Sequence, residues 1–295
     1  MSEYLNPSLS MTAYGVRKQG DVQYGSEKCE ITLDGKDAYL SFFGMFNGYH
    51  GDEAYQYAKA NLKDHILSHD EFWADKDESI FQAIREGFIS CQDGMWFDSR
   101  TWPRTPLDLP SMSGTSASVV FFTRGKIPSP VIIDRGESHE RSRLKPQWWK
   151  SNADLVGKVS WPKTQHTGRV TRSGVTLIEE VPFLPVSRSL GDFWSYNFHR
   201  RAHIVSPFPD TGAYKIGDDA RCIILGNQGL WQLISPQDAV HVASEDSLHV
   251  SSTSNTDSIS KRIVDYALGR LVTESLQPEI VSAVTIMIHP RSHKE

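Results

Sequence analysis

The sequence predicts an α+β fold in which helices pack on the outer faces of β-sheets. Apolar runs typical of strands alternate irregularly with stretches of helical periodicity along the 295 residues. The helical stretches are grouped rather than placed one after every strand, which is typical of layered α+β proteins. No internal repeat, low-complexity stretch or clear interdomain linker interrupts this pattern.

The N-terminal half predicts one long strand followed by two helices. Residues 1–10 read as a loose arm, and the apolar, aromatic run 39–46 reads as a buried strand that Asn47 and Gly48 end in a tight turn. Asp52 and Glu53 open the first helix, whose acidic start suits the helix dipole. Apolar residues recur at helical spacing in both helices, at positions 54, 57, 58, 62 and 66 and at positions 80, 81, 84, 88 and 91.

The rest of the chain predicts mainly strands and two further helices. Residues 99–113 form a proline-containing loop, and 123–130 are expected to connect two strands in a hairpin. Ser235 and Pro236 predict a helix start with proline at the first helical position. The last helix is expected at 258–271, and the predicted strands are 116–122, 131–133, 175–178, 221–225 and 283–288.

Composition favours a globular intracellular protein. The chain is 39% apolar and 23% charged with a formal net charge of −5, and its length suits one large domain or two small ones. No apolar run approaches the ~18 residues of a membrane span, and the N-terminus lacks the pattern of a signal peptide. The cysteines are odd in number and widely spaced (Cys29, Cys91 and Cys222), which favours a reducing compartment.

One segment is basic within an otherwise acidic chain. Residues 139–172 contain eight Lys and Arg but only Glu140 and Asp154 as acids. Such a local excess predicts contact with an anionic partner, such as an acidic or phosphorylated protein, or else a solvated loop. Its tryptophans form no regular stacking platform, so nucleic acid is not expected as a partner. The candidate contacts are Arg141, Arg143, Lys145, Lys150, Arg169 and Arg172.

Four segments together carry a family resemblance, namely 43–51 (FGMFNGYHG), 113–120 (SGTSASVV), 185–194 (PVSRSLGDFW) and 223–231 (IILGNQGLW). In this order and spacing they resemble the metal-dependent Ser/Thr protein phosphatases of the type 2C, or PPM, family, from about residue 13 to residue 289. The resemblance implies a four-layer α-β-β-α sandwich of two antiparallel sheets flanked by helix pairs, with a two-metal site at one end. It divides the chain into an N-terminal arm (1–12), one PPM-type domain (13–290) that includes the basic loop, and a tail (291–295).

Two branches of that family are also similar to parts of the chain. Segments 191–196, 205–211 and 235–239 resemble the nuclear branch that ends DNA-damage signalling. The FNGY sequence at 46–49 instead resembles the catalytically dead adaptor of the TGF-β-activated kinase. The expected compartment is therefore the cytoplasm or the nucleus, and no membrane partner is expected.

The family reaction hydrolyses a phosphoserine or phosphothreonine ester. Two Mg²⁺ or Mn²⁺ ions activate a bridging water, and these hard cations need mainly carboxylate ligands. The resemblance implies that Asp192 and the carbonyl of Gly48 are kept as metal ligands, while the family's histidine, a general-acid candidate, falls at Tyr49. The resemblance places four further aspartates of the family at Asn47, Asn227, Glu137 and Glu279 of this chain.

These changes predict a degenerate site. Asn47 and Asn227 supply no charge, and the extra methylene of Glu137 and Glu279 displaces their oxygens. Taken alone, Asn47-Gly48 also suits an ordinary turn, Asp192 could be a turn or cap residue, and His50 reads as a surface histidine. No cofactor is therefore expected, although weak Mg²⁺ or Mn²⁺ binding stays open.

The sequence therefore predicts a catalytically inactive pseudophosphatase. It would act as a binding adaptor or regulator in phosphorylation signalling, with a protein kinase, a phosphatase or a phosphoprotein as partner. The alternatives are a weak or atypical Mn²⁺/Mg²⁺-dependent Ser/Thr phosphatase and a structural subunit of an assembly.

Overall fold

The fold was analysed in a computed structural model of the protein. The structure describes residues 8–17, 23–33, 36–74, 76–105, 108–122, 127–128, 131–132, 149–151, 157–159, 162–164, 178–180, 187–197, 201–214, 216, 220–244, 258–270 and 280–289. None of the helices in these ranges is both long enough and apolar enough to cross a lipid bilayer.

The helices are α1 (Glu53–Leu67), α2 (Asp77–Asp98), α3 (Gln228–Leu233), α4 (Pro236–Ser244) and α5 (Ile259–Arg270). Short 3-10 turns lie at Asp70–Trp73, Ser99–Thr101 and Phe193–Ser195. The strands are β1 (Ser8–Arg17), β2 (Gln23–Leu33), β3 (Lys36–Tyr49), β4 (Gly114–Phe122), β5 (Ile127–Pro128), β6 (Val131–Ile132), β7 (Trp149–Ser151), β8 (Gly157–Val159), β9 (Pro162–Thr164), β10 (Ile178–Glu180), β11 (Leu190–Gly191), β12 (Tyr196–Asn197), β13 (Ala202–His203), β14 (Ala213–Tyr214), β15 (Cys222–Gly226) and β16 (Ile280–His289).

Two antiparallel sheets form the centre of the molecule. One has the order β1-β16-β15, and the other has the order β11-β4-β3-β2 with β6 also beside β4. The remaining short strands pair as β5 with β14, β7 with β8, β9 with β10 and β12 with β13.

Three apolar layers hold the sheets and helices together. Along β3, Phe42 and Phe46 face α1 and α2, whereas Phe43 and Met45 face the other sheet. This alternation follows from the two-residue period of a strand, and it explains why a strand covered on both faces reads as one apolar run. The third layer lies between β16 and the helices α3 to α5, where Ile263 is fully buried. The arrangement is the α-β-β-α sandwich expected from the resemblance, so the predicted fold class is confirmed.

Most of the predicted helices and strands are present. Some of their ends differ from the prediction because pairing with distant strands extends them. The start of α4 is confirmed, since Ser235 and Asp238 exchange side-chain and backbone hydrogen bonds before and within its first turn. β1 begins at Ser8 and pairs with β16, so residues 8–12, predicted as part of the arm, belong to a sheet.

The turn predicted at Asn47 and Gly48 is wrong. β3 continues through both residues to Tyr49, because they pair with Ser116 and Thr115 of β4. The strand predicted at 175–178 is described only from Ile178 onward, at the start of β10.

Candidate functional site

The candidate site lies where β3 ends beside the first residues of β4. Tyr49 pairs with Gly114 on one side of β4, and Gly191 of β11 pairs with Gly114 on the other side. This register places the end of the FNGY segment next to Asp192, which directly follows β11. Two of the sequence-predicted site residues, Tyr49 and Asp192, are therefore in contact.

The carboxylate of Asp192 is fully buried and accepts three side-chain hydrogen bonds. The Tyr49 hydroxyl donates to Oδ2 over 2.6 Å, and Nε1 of Trp194 donates to Oδ1 over 2.8 Å. The Ser189 hydroxyl also donates to Oδ2. With 0% of the residue exposed, these donors replace the water that an ionised carboxylate would otherwise bind.

The backbone around Asp192 is held in an uncommon conformation. Asp192 has a φ of +48° and Gly191 a φ of +81°, both in the left-handed region. The side-chain amide of Gln92 accepts from the Gly191 N–H over 2.7 Å and donates to its carbonyl over 2.8 Å. A Cβ on Gly114 would lie 2.5 Å from the Asp192 carboxylate, so only glycine leaves room for this packing.

Burial changes the protonation behaviour of both partners. Burial raises the pKa of Asp192, while hydrogen bonds from Ser189, Tyr49 and Trp194, and more weakly the charge of His50, lower it. Burial, followed by the charge of Asp192, raises the pKa of Tyr49 well above its ordinary value. The phenol therefore stays a neutral donor at physiological pH.

Asn47 and Gly48 stand two and one positions before Tyr49 on β3. The Oδ1 of Asn47 is buried and has no hydrogen-bond partner among the described residues. A Cβ on Gly48 would collide with the ring of Tyr55 on α1, so this position also requires glycine. Asn47 thus brings a neutral amide oxygen, rather than a carboxylate, to this end of the sheet.

Asn227 has a structural role next to the other sheet, directly after β15. Its Oδ1 accepts from the N–H groups of Leu230 and Ser282 over 3.0 and 3.1 Å, and its Nδ2 donates to the carbonyl of Ile280 over 3.0 Å. Asn227 is therefore the N-cap of α3 and also binds that helix start to β16. Both the oxygen and the nitrogen of its side-chain amide therefore have hydrogen-bond partners.

Several predicted site residues lie outside the described part of the chain. These are Glu137, Glu279, Arg141, Arg143, Lys145, Arg169 and Arg172. For Lys150, in β7, only the backbone is described.

Four residues that sequence reasoning missed help to form the site. Ser189 and Trp194 lie close to Asp192 in sequence, but their residue types alone do not indicate that they donate to it. Gln92 comes from α2, and the Ser113 hydroxyl accepts from the N–H of Ala54 in the first turn of α1. No sequence pattern joins such distant positions.

The described residues at this site do not fit a pair of divalent ions. Among the described positions at which the resemblance expects a metal ligand, Asp192 is the one that contributes a carboxylate. Both of its oxygens already accept hydrogen bonds. Mg²⁺ and Mn²⁺ prefer several oxygen ligands of which some carry charge. Within the described ranges, the one group of three close His, Cys, Asp or Glu ligand atoms lies elsewhere, at His69, Glu71 and Glu86.

Comparisons with known proteins agree with the fold. The protein phosphatase 2C family profile matches residues 154–276. A probable mitochondrial protein phosphatase 2C of Oryza sativa (member 13) is 22% identical over 78% of this chain and 56% of its own length. A probable protein phosphatase 2C of Caenorhabditis elegans is 24% identical over 71% of this chain and 55% of its own length. The chain thus spans about half the length of these relatives.

A solved structure shows the same architecture over almost the whole chain. The serine-threonine phosphatase 2C from Toxoplasma gondii superposes with a TM-score of 0.66 at 15% identity, covering 96% of this chain and 97% of that one. The molecule therefore has the protein phosphatase 2C fold. The matching profile and the two curated relatives carry the same family name, protein phosphatase 2C.

Proposed function

We propose that the chain is a PP2C-type pseudophosphatase that acts as a binding adaptor or regulator in protein-phosphorylation signalling. The observation that carries the proposal is the enclosed carboxylate of Asp192, which accepts hydrogen bonds from Tyr49, Ser189 and Trp194. The family fold is retained, while the Asp192 carboxylate is enclosed by donors and the open oxygen of Asn47 is a neutral amide oxygen.

The chemistry of these contacts argues against tight metal binding at Asp192. A divalent ion would have to reach a carboxylate that is fully enclosed, and any donor displaced in doing so would be left unpaired at a cost of about 1–3 kcal/mol. The amides at Asn47 and Asn227 add no compensating charge, and the amide of Asn227 is already used by the backbone. Glu137 and Glu279 belong to the same proposal as degenerate ligand positions.

The alternative is a weak or atypical Mn²⁺- or Mg²⁺-dependent Ser/Thr phosphatase. The names of the relatives favour it, since they are called protein phosphatases 2C. This alternative requires the Tyr49–Asp192 hydrogen bond to open so that the carboxylate can reach an ion.

A phosphatase assay separates the two proposals. The purified chain is incubated with a phosphothreonine peptide and millimolar Mn²⁺, in parallel with calorimetric titration of Mn²⁺. Asp192→Asn, which keeps the size of the side chain, is the matched control. We expect no turnover above that of the variant and no Mn²⁺ binding tighter than millimolar. Metal-dependent turnover that the folded variant loses would contradict the pseudophosphatase proposal.

We further propose that the basic segment contacts a protein kinase, a phosphatase or a phosphoprotein. Charge supports this, because residues 139–172 carry eight Lys and Arg against two acids. The branch resemblances suggest partners in a stress-activated kinase cascade or in nuclear checkpoint signalling, and hence a cytoplasmic or nuclear location.

Charge reversal tests the partner surface. Arg141, Arg143 and Lys145 are changed together to Glu, and the control changes three exposed arginines elsewhere, Arg100, Arg201 and Arg221, to Glu. Crosslinked partners are then compared by mass spectrometry, with and without phosphatase treatment of the extract and with added polynucleotide. We expect partners to be lost only in the first variant and polynucleotide to have no effect. An unchanged set would contradict a contact through this segment.

A further inference from the structure

We propose that His69, Glu71 and Glu86 form a transition-metal site, with zinc as the best-matching ion, at the connection between α1 and α2. One ligand atom from each side chain lies within 4.8 Å of the other two. Nδ1 of His69 is 3.4 Å from Oε2 of Glu86. The set shares no residue with the Asp192 site and does not depend on the proposed function.

Packing in the core holds the backbone that carries the three side chains. Helices α1 and α2 approach so closely that a Cβ on Gly87 would lie 2.5 Å from Cγ1 and 2.6 Å from Cα of Ile66. Glu86 therefore stands beside the end of α1, just before His69. Glu71 lies in the 3-10 turn Asp70–Trp73, which Phe72 anchors by packing in the core against Phe121.

The separations suit a small ion after modest adjustment. Tetrahedral zinc with bonds of about 2.0–2.2 Å places its ligand atoms about 3.3–3.6 Å apart. The His69–Glu86 pair already has this spacing, at 3.4 Å. Glu71 is exposed, so its side chain can rotate to close the remaining distance at little steric cost.

One further contact orients a ligand of the proposed site. Nε2 of Gln82 donates to Oε1 of Glu86 over 2.6 Å, which orients the carboxylate and leaves Oε2 toward His69. Nε2 of His69 is buried and has no hydrogen-bond partner in the described part of the chain. Nδ1, on the other edge of the ring, is the atom that faces Glu86, so an ion between the two side chains would bind Nδ1.

The donor set selects the kind of ion. One imidazole and two carboxylates favour zinc or a similar transition metal, whereas Mg²⁺ and Ca²⁺ prefer all-oxygen sites. Three protein ligands leave a fourth tetrahedral position for water. Because His69 and Glu71 lie in the α1–α2 connection and Glu86 lies on α2, a bound ion would tie the connection to α2 and stabilise the folded state.

Titration of the full chain with zinc tests this assignment. The protein is stripped with chelator, and ZnCl₂ binding is measured by calorimetry for the parent chain, for His69→Gln and for Glu86→Gln. His65→Gln is the matched control, since His65 lies one turn earlier on α1 and outside the set. We expect micromolar or tighter binding of one zinc, at least tenfold weaker binding in the two variants, no change in the control, and no competition from millimolar Mg²⁺.

Two readouts make the result independent of a folding defect. Cobalt in place of zinc should give the absorption bands of a tetrahedral site in the parent chain but not in His69→Gln. Zinc should also raise the melting temperature of the parent chain and of His65→Gln, but not that of Glu71→Gln. Absence of zinc binding, or equal binding by the parent chain and His69→Gln, would overturn the proposal.

Discussion

Asp192 shows how neighbouring donors can stabilise a fully buried carboxylate. Burial raises its pKa, and the hydrogen bonds of Ser189, Tyr49 and Trp194 act in the opposite direction by favouring the charged form. Each donor also needs the carboxylate, since a buried hydroxyl or indole N–H without an acceptor is costly. The four side chains thus form one interdependent group.

Replacing Tyr49 with Phe tests this dependence. The change deletes only the hydroxyl that donates to Asp192 over 2.6 Å, so the carboxylate loses one donor in a site closed to water. We expect the free energy of unfolding to fall by about 1–3 kcal/mol, measured by urea denaturation. Tyr55→Phe is the control, because it removes a hydroxyl from another tyrosine of low exposure but not one that donates to Asp192. Equal effects of the two variants would contradict the account.

Asn227 offers a second test, through its amide nitrogen. In Asn227→Asp an oxygen replaces Nδ2 and faces the carbonyl of Ile280, so a hydrogen bond of 3.0 Å becomes a repulsion. We expect a loss of about 1–3 kcal/mol at pH 8 and a smaller loss near pH 4, where a protonated carboxyl can donate again.

The matched control for Asn227 is Asn61→Asp. Asn61 donates to the carbonyl of Tyr57 over 2.8 Å on the less buried side of α1, where water can replace the bond. We expect a smaller loss there, by the same urea denaturation at both pH values. A cost at Asn227 that does not depend on pH would show that Nδ2 is not the important atom.

The sequence predicted part of this site. The motif resemblance correctly brought Tyr49 and Asp192 to one place, but the roles of Asp192 and Gly48 as metal ligands and of Tyr49 as a lost general acid stay predictions. The enclosure of Asp192 could not be predicted, because it depends on the positive φ of two successive residues and on Gln92 from α2. Such contacts exist only once the chain has folded.

At the scale of helices and strands, the local sequence pattern was enough to predict two helices, whereas the end of a strand depended on tertiary pairing. Hydrophobic periodicity predicted α1 and α2, since their buried residues recur at helical spacing. It failed at Asn47-Gly48, where a pair that favours turns is held in β3 by pairing with β4. The preference of such a dipeptide is small compared with the hydrogen bonds and packing of a central strand.

Two glycines in helices should respond oppositely to alanine. Gly87→Ala places a methyl group against Ile66 at the α1–α2 contact, and we expect it to destabilise the protein by about 1–3 kcal/mol despite better helix propensity. Gly269→Ala on α5 meets nothing within 4 Å, and we expect it to stabilise by about 0.5–1 kcal/mol. Thermal and urea unfolding of both variants check the prediction, and destabilisation by both would refute the packing explanation.

At the scale of the whole molecule, three apolar layers join the sheets and helices. β4 contributes Val119 and Phe121 to the layer under α1 and α2, and Val120 and Phe122 to the layer between the sheets. Apolar residues on both faces of the central strands therefore require cover on both sides, which the helices and the opposite sheet supply. That requirement explains why α+β layering could be predicted from the sequence, whereas the division into two antiparallel sheets came only from the resemblance and the pairing order of the strands only from the structure.

His203 is half-buried beside Phe193 at the margin of the layer under α1 and α2, and its titration should affect global stability. Its ring packs beside Phe193 and Tyr196, and its Nδ1 is buried without a hydrogen-bond partner in the described ranges. Burial lowers the pKa of His203 from 6.5 to about 4. The unfolded chain therefore binds a proton between these two values that the folded chain does not bind, so acid favours unfolding in this window.

We expect stability to fall as pH decreases from about 6.5 to about 4, by up to about 3 kcal/mol from His203 alone. His65 should add to the loss, because burial also lowers its pKa. Asp192 should act in the opposite direction, since its raised pKa lets the folded state take up a proton first. Urea unfolding across this range should show a flatter profile for His203→Gln than for the parent chain. Parallel profiles for the parent chain and His203→Gln would mean that other groups cause the loss in acid.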